Sequence, residues 1–533
     1  MAPDDYNKSV EPVMSSKKFS QQGPRSHGQH LRSLTAETLN VRSSNGDPGK
    51  FGRMFPNLPG LVVEDDALFE LAEAMVDTAM DPTGDNPGIP AGYTYFGQFA
   101  DHDITLDTTP LHVQAADPLA TENFRTPALD LDSLYAEGPR RSPQLYARLP
   151  RPPYPTSNKF LIGATSASPA ENVPTALPND LPRNAVGRAL IGDERNDENL
   201  AVAQTHLAFL KFHNAVVDFL SAEQPNLKGA AQFEEAKRIV TWHYQWIVLF
   251  DWVERLTEPG LVHKIKEQGR QFYRFETTPY IPAEFSAAAY RLGHSMIREI
   301  YDYNRVFGTD IGALTPASLQ LLFGFTGKSG AIVGALVDDP GVLPTPGIPG
   351  GKLRDLPGNW IIDWRRFFDL DSAVRPNPSR KLDALMAPAL KNLPGETDRN
   401  AVLAFRNLSR GTQVGLPSGQ SVAQHMGLEP MSPEVIATGV GGEAARKHGL
   451  HEETPLWFYI LKESEQLNQG LRLGPVGSTI IVETFLGLVH GDQRSFLWQR
   501  KNWEPELPGA EPGHFTMADL LRFVNDINPI GES

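Results

Sequence analysis

The chain has 533 residues, of which 40% are hydrophobic and 21% are charged, enough apolar material for a large globular core. Its formal net charge of −15 argues against a nucleic-acid or anionic-membrane partner, since phosphate binding requires a cationic surface. The sequence contains no cysteine, which excludes disulfides, thiolate ligation of a metal and a cysteine nucleophile.

The first 50 residues are rich in Ser, Gln, Gly and Asn and hold few large apolar side chains. We therefore expect a mobile arm over 1–50 and one large domain over 51–533. The N-terminus lacks the apolar run of a signal peptide, and no stretch reaches the roughly 18 apolar residues of a membrane helix. We expect a cytoplasmic protein without a membrane span, with secretion by a non-classical route left open. Oligomeric state is not indicated.

Hydrophobic periodicity predicts a mainly α fold with little β structure, interrupted by long loops rich in Pro and Gly over 136–190 and 325–360. Helices are predicted over 199–221, 232–256, 283–302, 453–470 and 475–491, and a last short helix is predicted from Thr516. A further helix is predicted to open with Thr315 as N-cap and Pro316 at the first helical position.

The segment YFGQFADHDITLD at 95–107 holds a histidine with a polar partner. Gln98 and His102 are four positions apart and share one face of a helix. Asp101 and Asp103 flank His102, and because neighbours on a helix point about 100° apart, we expect both carboxylates to aim elsewhere. The alternatives are an acid–base histidine and a surface charge cluster.

A second polar group precedes the helix predicted from residue 199. Asp193, Glu194 and Glu198 complement the positive end of a helix dipole. Arg195 has the wrong charge for that position, so the dipole does not explain it. Arg195 is therefore the candidate functional residue of this segment.

Two later segments carry candidate residues at helical spacing. Gly293 precedes His294, where a helical glycine costs roughly 1 kcal/mol relative to alanine, and a flat ligand against the backbone would justify that cost. Arg291 shares the face of His294, and Asn407 and Arg410 follow an apolar run. Taken singly, these patterns also fit a packed core histidine and an ordinary polar helix end.

In chain order, these segments resemble the catalytic core of the peroxidase–cyclooxygenase superfamily, the animal-type haem peroxidases. The matching stretches span about residues 95–417 and are Gly97-Gln98-x-x-Asp101-His102-Asp103, Gly192-Asp193-x-Arg195-x-x-Glu198, Arg291-x-Gly293-His294, and Asn407-x-x-Arg410 followed by Gly415-Leu416-Pro417. Because neither an apolar leader nor a cysteine is present, we expect a bacterial member.

The resemblance implies haem b and assigns each matching residue a role. His102 is expected as the distal acid–base group, with Arg195 beside it and Gln98 lining the pocket. His294 is expected as the iron ligand. Asn407 is expected to hydrogen-bond the second nitrogen of His294. Arg291 and Arg410 are expected to contact the haem propionates. Asp101 and Glu198 are expected to form ester bonds to haem methyl groups. A sulfonium link requires methionine at the position of Asn199, so we expect that link to be absent.

The resemblance also implies a calcium site between Asp103 and the segment 125–135. All of the expected ligands are oxygen donors, as a hard cation requires, and they are Asp103, Thr126, the carbonyl of Ala128, Asp130 and Asp132. The alternative is a solvated Asp-rich turn.

The implied function is a haem-dependent peroxidase, which reduces hydrogen peroxide through a ferryl intermediate and then oxidises a small organic donor or a halide. In that reaction one neutral imidazole serves as general base and then as general acid. Arg195 would stabilise the charge that develops as the O–O bond breaks. The sequence does not select the donor.

Three alternatives stay open. A fatty-acid dioxygenase of the same superfamily carries a tyrosine three residues before the proximal histidine, where this chain has Arg291, with Tyr290 one position off. A haem-binding protein without turnover needs only His294, so the pair His102 and Arg195 argues against it. A helical scaffold without haem is disfavoured because all the segments occur in the family order.

Overall fold

The computed structural model of the protein describes residues 49–106, 122–123, 125–150, 156–168, 170, 172–185, 187–309, 313–328, 355–393 and 396–532. The described residues form a mainly α fold, which confirms the predicted fold class. Residues 1–48 of the predicted arm and 329–354 of the second predicted loop lie outside the described residues, and a strand already begins at Gly49. None of the described helices is long and apolar enough to span a membrane.

The α-helices, in chain order, are α1 (Asp65–Ala74), α2 (Gly92–Ile104), α3 (Asp132–Tyr135), α4 (Gly138–Arg141), α5 (Leu200–Glu223), α6 (Gly229–Trp246), α7 (Glu254–Leu256), α8 (Leu261–Gln268), α9 (Ala283–Ser286), α10 (Leu319–Gly324), α11 (Leu403–Gln413), α12 (Gly419–His425), α13 (Pro433–Ile436), α14 (Gly442–Lys447), α15 (Leu456–Asn468), α16 (Pro475–Gly491), α17 (Phe496–Gln499) and α18 (Met517–Val524). A π-helical turn, Ile247–Val253, joins α6 to α7. The 3-10 helices are Pro82–Gly84, Pro143–Leu145, Glu194–Asp197, Ala289–His294, Gly358–Trp360, Trp364–Arg366, Pro388–Lys391 and Asp398–Ala401.

The strands are short and form small sheets. They are β1 (Gly49–Gly52), β2 (Asp85–Pro90), β3 (Glu122–Asn123), β4 (Tyr146–Arg148), β5 (Thr156–Phe160), β6 (Ile281–Pro282), β7 (Ile300–Tyr301), β8 (Ala317–Ser318) and β9 (Pro378–Arg380). β1 pairs antiparallel with β3 and parallel with β6, where Phe51 lies opposite Ile281. The antiparallel pairs are β2–β9, β4–β5 and β7–β8.

The core is built around the long helices α5, α6 and α16, whose side chains are buried over most of their length. Phe99 of α2 stacks on Phe209 of α5 with ring centroids 4.7 Å apart, and Phe96 lies 6.2 Å from the same ring. Since residues three or four apart share a helix face, this packing assigns the apolar face of α2 to the core. The polar positions Gln98 and His102 are thereby directed to another side.

Most of the predicted helices are confirmed, and two predictions are wrong. The helix predicted over 283–302 ends at Ser286, and the chain continues as the 3-10 helix Ala289–His294 and strand β7. Ala288 leaves the helical region with φ −132° and ψ −78°. Tertiary contacts outweigh local propensity here, because the Tyr290 hydroxyl donates to the Gly97 carbonyl at 2.8 Å.

The helix predicted to open with Thr315 as N-cap and Pro316 as first helical residue begins three residues later, with Ser318 as N-cap and Leu319 as first helical residue. Residues Ala317–Ser318 pair with β7 as strand β8, which keeps them extended. The Ser318 side chain accepts from the Leu321 N–H at 3.2 Å and so caps the helix.

Candidate active site

One large cavity gathers most of the residues that the sequence motifs selected. Its empty space, including the opening to solvent, is about 1510 Å³. The predicted residues that line it are Gln98, Asp101, His102, Arg195, Glu198, Arg291, His294 and Arg410. Asn407 lies behind His294, outside the cavity wall.

Helix α2 brings three polar side chains to the cavity. Gln98 and His102 share the predicted face, and Asp101 also lines the cavity. The expectation that Asp101 points elsewhere is wrong, because the cavity is wide enough to span more than one position around the helix. Asp103 does point away and is fully buried.

His102 is held as a neutral imidazole. Its Nδ1 lies 2.8 Å from the Asn196 side-chain oxygen, which can only accept, so the His102 Nδ1–H donates. Burial, together with the Arg195 charge, lowers the pKa of His102 to about 3. The Nε2 lone pair is therefore the basic group of this residue.

Arg195 is the second residue of the 3-10 helix Glu194–Asp197, whose N-cap is Asp193. Its Nη2 donates to the carbonyls of His102 at 3.0 Å and Thr105 at 2.6 Å, which tie it to the end of α2. It also pairs with Asp193 at 2.7 Å. Burial alone would raise the pKa of Asp193, but Arg195 and Arg125 hold it well below its usual range.

Asn199 joins the two sides of this wall. Its side-chain oxygen caps α5 by accepting from the Val202 N–H at 2.9 Å, and its Nδ2 donates to Gln98 Oε1 at 2.7 Å. Glu198 is buried next to it, and Lys328 Nζ lies 3.6 Å from the Glu198 carboxylate. The motifs did not select Lys328, which also lines the cavity.

His294 and Arg291 are aligned by the 3-10 helix, whose period of three residues places them on one edge. The Asn407 amide on α11 lies between them. Its Nδ2 is 2.8 Å from His294 Nδ1, and its Oδ1 accepts from Arg291 Nη1 at 2.7 Å. Gly293 borders open space, since a Cβ added there would meet nothing within 4 Å.

The acidic residues predicted as calcium ligands form a buried cluster. One carboxylate oxygen from each of Asp103, Asp130 and Asp132 lies within 4.8 Å of the others. The Thr126 hydroxyl is buried and makes no hydrogen bond within the described residues, and Ala128 is buried beside it. Such a set of close, buried oxygens suits a hard cation.

Two positive side chains approach this cluster from outside. Arg125 pairs with Asp132 at 2.9 Å and also with Asp193, and Arg494 lies 3.2 Å from Asp130. Burial raises the pKa of Asp132 to about 6, although Arg125 opposes the change. Burial and the two neighbouring carboxylates raise the pKa of Asp103 as well.

Sequence reasoning missed Asn196, which contacts His102 although 94 positions separate the two residues. Its place directly after Arg195, inside a matched motif, was the only available indication. Periodicity could not reveal the contact, because it depends on how the 3-10 helix Glu194–Asp197 packs against α2.

The mainly α architecture is that of the peroxidase–cyclooxygenase fold. The family model named Animal haem peroxidase matches residues 118–311 of this chain. This chain is 29% identical over 195 residues to the Homo sapiens protein named probable oxidoreductase PXDNL, a match that covers 35% of this chain and 13% of that protein. The chain spans less than half the length of the curated relatives that it matches.

Solved structures support the fold. Peroxidase A from Dictyostelium discoideum matches with a TM-score of 0.60 and 15% identity, over 96% of this chain and 99% of that one. Fatty acid alpha-dioxygenase from Oryza sativa matches with a TM-score of 0.57 and 16% identity, over 94% of this chain and 85% of that one. At these identities the likeness concerns the fold.

Proposed function

We propose that the protein is a haem-dependent peroxidase, which reduces hydrogen peroxide and oxidises a small organic donor or a halide. One observation carries this proposal: a neutral histidine with an arginine beside it, and a second histidine backed by an amide, line the same cavity. A protein that only stores haem needs the second histidine alone.

The side chains fit a haem. His294 would ligate the iron through Nε2, and Arg291 and Arg410 would meet the two propionates, since both arginines line the cavity. The open space next to Gly293 leaves room for a macrocycle close to the backbone. Ligation through Nε2 requires a proton on His294 Nδ1, and therefore the Asn407 amide oxygen turned towards it. Arg291, which now donates to that oxygen, would then pair with a propionate.

The bound haem would supply the redox chemistry, and the chain would supply the proton transfers. His102 Nε2 would accept a proton from hydrogen peroxide and return it to the departing oxygen, which leaves as water. Arg195 would stabilise the negative charge that develops on that oxygen. Asn199 would hold Gln98 at the pocket wall through the contact at 2.7 Å.

We further propose that the acidic cluster binds calcium and that Asp101 and Glu198 form ester bonds to haem methyl groups. Each ester would replace one methyl C–H bond and one carboxyl O–H bond, and hydrogen peroxide would accept the two electrons and leave as two water molecules. Calcium is supported by the three close carboxylates and the buried Thr126 hydroxyl. The ester bonds are supported by the position of both acids in the cavity wall. A calcium ion there would fix the end of α2 that carries His102.

The alternative of a fatty-acid dioxygenase has one supporting observation, since Tyr290 lines the cavity. Its hydroxyl, however, donates to the Gly97 carbonyl at 2.8 Å. The 3-10 helix places Arg291 on the edge of His294, where an oxygenase would have its tyrosine. The peroxidase is therefore preferred.

The deciding experiment uses protein purified from haem-supplemented cells. We expect the absorption spectrum of a histidine-ligated ferric haem and oxidation of guaiacol by hydrogen peroxide. His102→Ala should keep the haem and lose turnover by a factor of about 10²–10⁴, whereas His294→Ala should lose the spectrum. His213→Ala, which removes a buried imidazole of α5 that does not line the cavity, is the matched control.

Each outcome separates the candidates. Haem without peroxide turnover, but with oxygen uptake on a fatty acid, would establish the dioxygenase instead. Haem without either activity would identify a binding protein. A preparation that takes up no haem would overturn the proposal.

A further inference from the structure

A buried amide connects two histidines behind the cavity wall. Asn196 Oδ1 lies 2.8 Å from His102 Nδ1, and Asn196 Nδ2 lies 3.0 Å from His206 Nδ1 on α5. Asn196 and His206 are completely buried, and His102 is 3% exposed.

The direction of these hydrogen bonds decides where the protons lie. The Asn196 oxygen accepts from His102, so the His102 proton is on Nδ1 and the lone pair is on Nε2. The Asn196 nitrogen donates to His206, so His206 Nδ1 carries a lone pair. Burial lowers the pKa of His206 to about 3, which is consistent with a neutral acceptor.

If the Asn196 amide were rotated by 180°, its nitrogen and oxygen would exchange places, and the direction of both hydrogen bonds would be reversed. The Asn196 nitrogen would then donate to His102 Nδ1, and the proton of neutral His102 would move to Nε2. In that form the nitrogen at the cavity is a donor, and it cannot take a proton from a substrate. The orientation of a single buried amide therefore separates a competent base from an incompetent one.

We propose that Asn196 is a positioning residue, with His206 as its second hydrogen-bond partner, that keeps the His102 proton on Nδ1 and the Nε2 lone pair available to the cavity. The inference rests on the proposed peroxidase function, because it concerns the base of that reaction. It extends the site by two residues that do not touch the substrate.

The fixed position of Asn196 supports the proposal. It lies in the 3-10 helix Glu194–Asp197, whose N-cap Asp193 accepts from the Arg195 N–H at 2.9 Å. The next residue, Asp197, is held by Arg183 at 2.6 Å. His206 packs edge-on against Phe99, with ring centroids 5.8 Å apart. The backbone and both partners of the amide are thus fixed.

The first test measures the tautomer directly. Nitrogen chemical shifts of ¹⁵N-labelled histidine, recorded on the diamagnetic ferrous carbon-monoxide complex, distinguish a protonated Nδ1 from a protonated Nε2. The same spectrum of His102→Gln identifies the His102 signals. We expect the Nδ1–H form in the wild type and a mixture of forms in Asn196→Leu. A wild-type His102 in the Nε2–H form would overturn the inference.

The second test measures proton transfer. Hydrogen cyanide must give up its proton to bind ferric haem, so its association rate constant reports the base. We expect Asn196→Leu to lower this constant and the rate constant with hydrogen peroxide by about 10–100-fold, a smaller loss than that of the whole acid–base group. The cyanide dissociation rate should stay unchanged, because the bond to iron is not altered.

Two variants make the second test specific. Asn196→Asp keeps an accepting oxygen for His102 Nδ1–H, so it should retain both rate constants within about threefold. Asn214→Leu removes a matched amide on α5, which binds the Phe160 backbone at 2.7 and 3.1 Å, and it should leave both constants unchanged. Equal slowing in Asn196→Asp and Asn196→Leu would contradict the proposal.

The tests also separate this inference from the proposed function. If the chain binds no haem, the proposed function fails, and the histidine spectrum of the chain alone still decides the tautomer. If His102→Ala is slow but Asn196→Leu is as fast as the wild type, only the inference fails. If Asn196→Leu does not fold, Asn196→Ser, which is smaller than the wild-type side chain, replaces it with the same expected slowing.

Discussion

Removal of a cation from the cluster of Asp103, Asp130 and Asp132 is expected to destabilise the protein much more at pH 7.5 than at pH 5. Burial raises the pKa of Asp132 from 3.8 to about 6. Between these values the native carboxyl keeps its proton, whereas the unfolded chain has lost it. The unfolded state binds fewer protons, so the free energy of unfolding falls as the pH rises and stays low above pH 6.

The magnitude follows from the size of the shift. A change of about two pKa units corresponds to about 3 kcal/mol at 1.36 kcal/mol per unit. This contribution is fully present below pH 4 and lost by about pH 6. A bound calcium ion would take over the role of the proton as counter-charge, and it would do so only when the carboxylates are ionised.

Urea unfolding with calcium or with EDTA at both pH values measures this effect. We expect a large calcium-dependent shift of the midpoint at pH 7.5 and a small one at pH 5. Asp132→Asn should reduce the calcium effect at pH 7.5, because it removes one of the three clustered carboxylates. Asp218→Asn, which removes a largely exposed carboxylate, is the control. A calcium effect of equal size at both pH values would refute the reasoning.

Three further predictions concern the haem pocket and the core. Joint replacement of Asp101 by Asn and Glu198 by Gln should make the haem fully extractable by acidified butanone; complete extraction from the unaltered protein would contradict the ester bonds. His243→Phe should flatten the loss of stability between pH 6.5 and 4 by up to about 1.4 kcal/mol per pH unit, because burial lowers the pKa of this imidazole to about 4 and the unfolded chain binds the proton first; urea midpoints across this range test it, and an unchanged slope would argue against it. Gly97→Val should cost about 1–3 kcal/mol and lower haem occupancy, because a Cβ at 97 would lie 2.6 Å from Trp252 Cζ2; a variant with full haem and unchanged urea midpoint would exclude this.

The helices that the sequence predicted well are those whose apolar periodicity alone determines their burial. Helix α5 is the clearest case, since Asn199 caps it where the predicted element begins. The segment 283–302 was mispredicted because good helix formers are overruled there by contacts of Tyr290 and Arg291 with residues far away in the chain. Propensity carries no information about such partners.

The same distinction applies to the candidate site. Side chains within a recognisable motif, such as His102 and His294, could be selected from their spacing and order. Asn196 and Lys328 could not, because their contacts join segments that only the fold brings together. Helical geometry alone directed Asp101 away from the side of His102, whereas the family resemblance placed Asp101 at the haem, and Asp101 lines the cavity.

A practical consequence follows from the buried ion pairs of Arg125. This guanidinium contacts Asp132 in the acidic cluster and Asp193, which in turn holds Arg195. Breaking a buried pair by removing one partner typically costs about 3–5 kcal/mol. Ion pairs through Asp193 thus connect the loop from 125 to 135 with Arg195. For protein engineering, the loop belongs to the candidate active site, and insertions placed there are expected to change the position of Arg195.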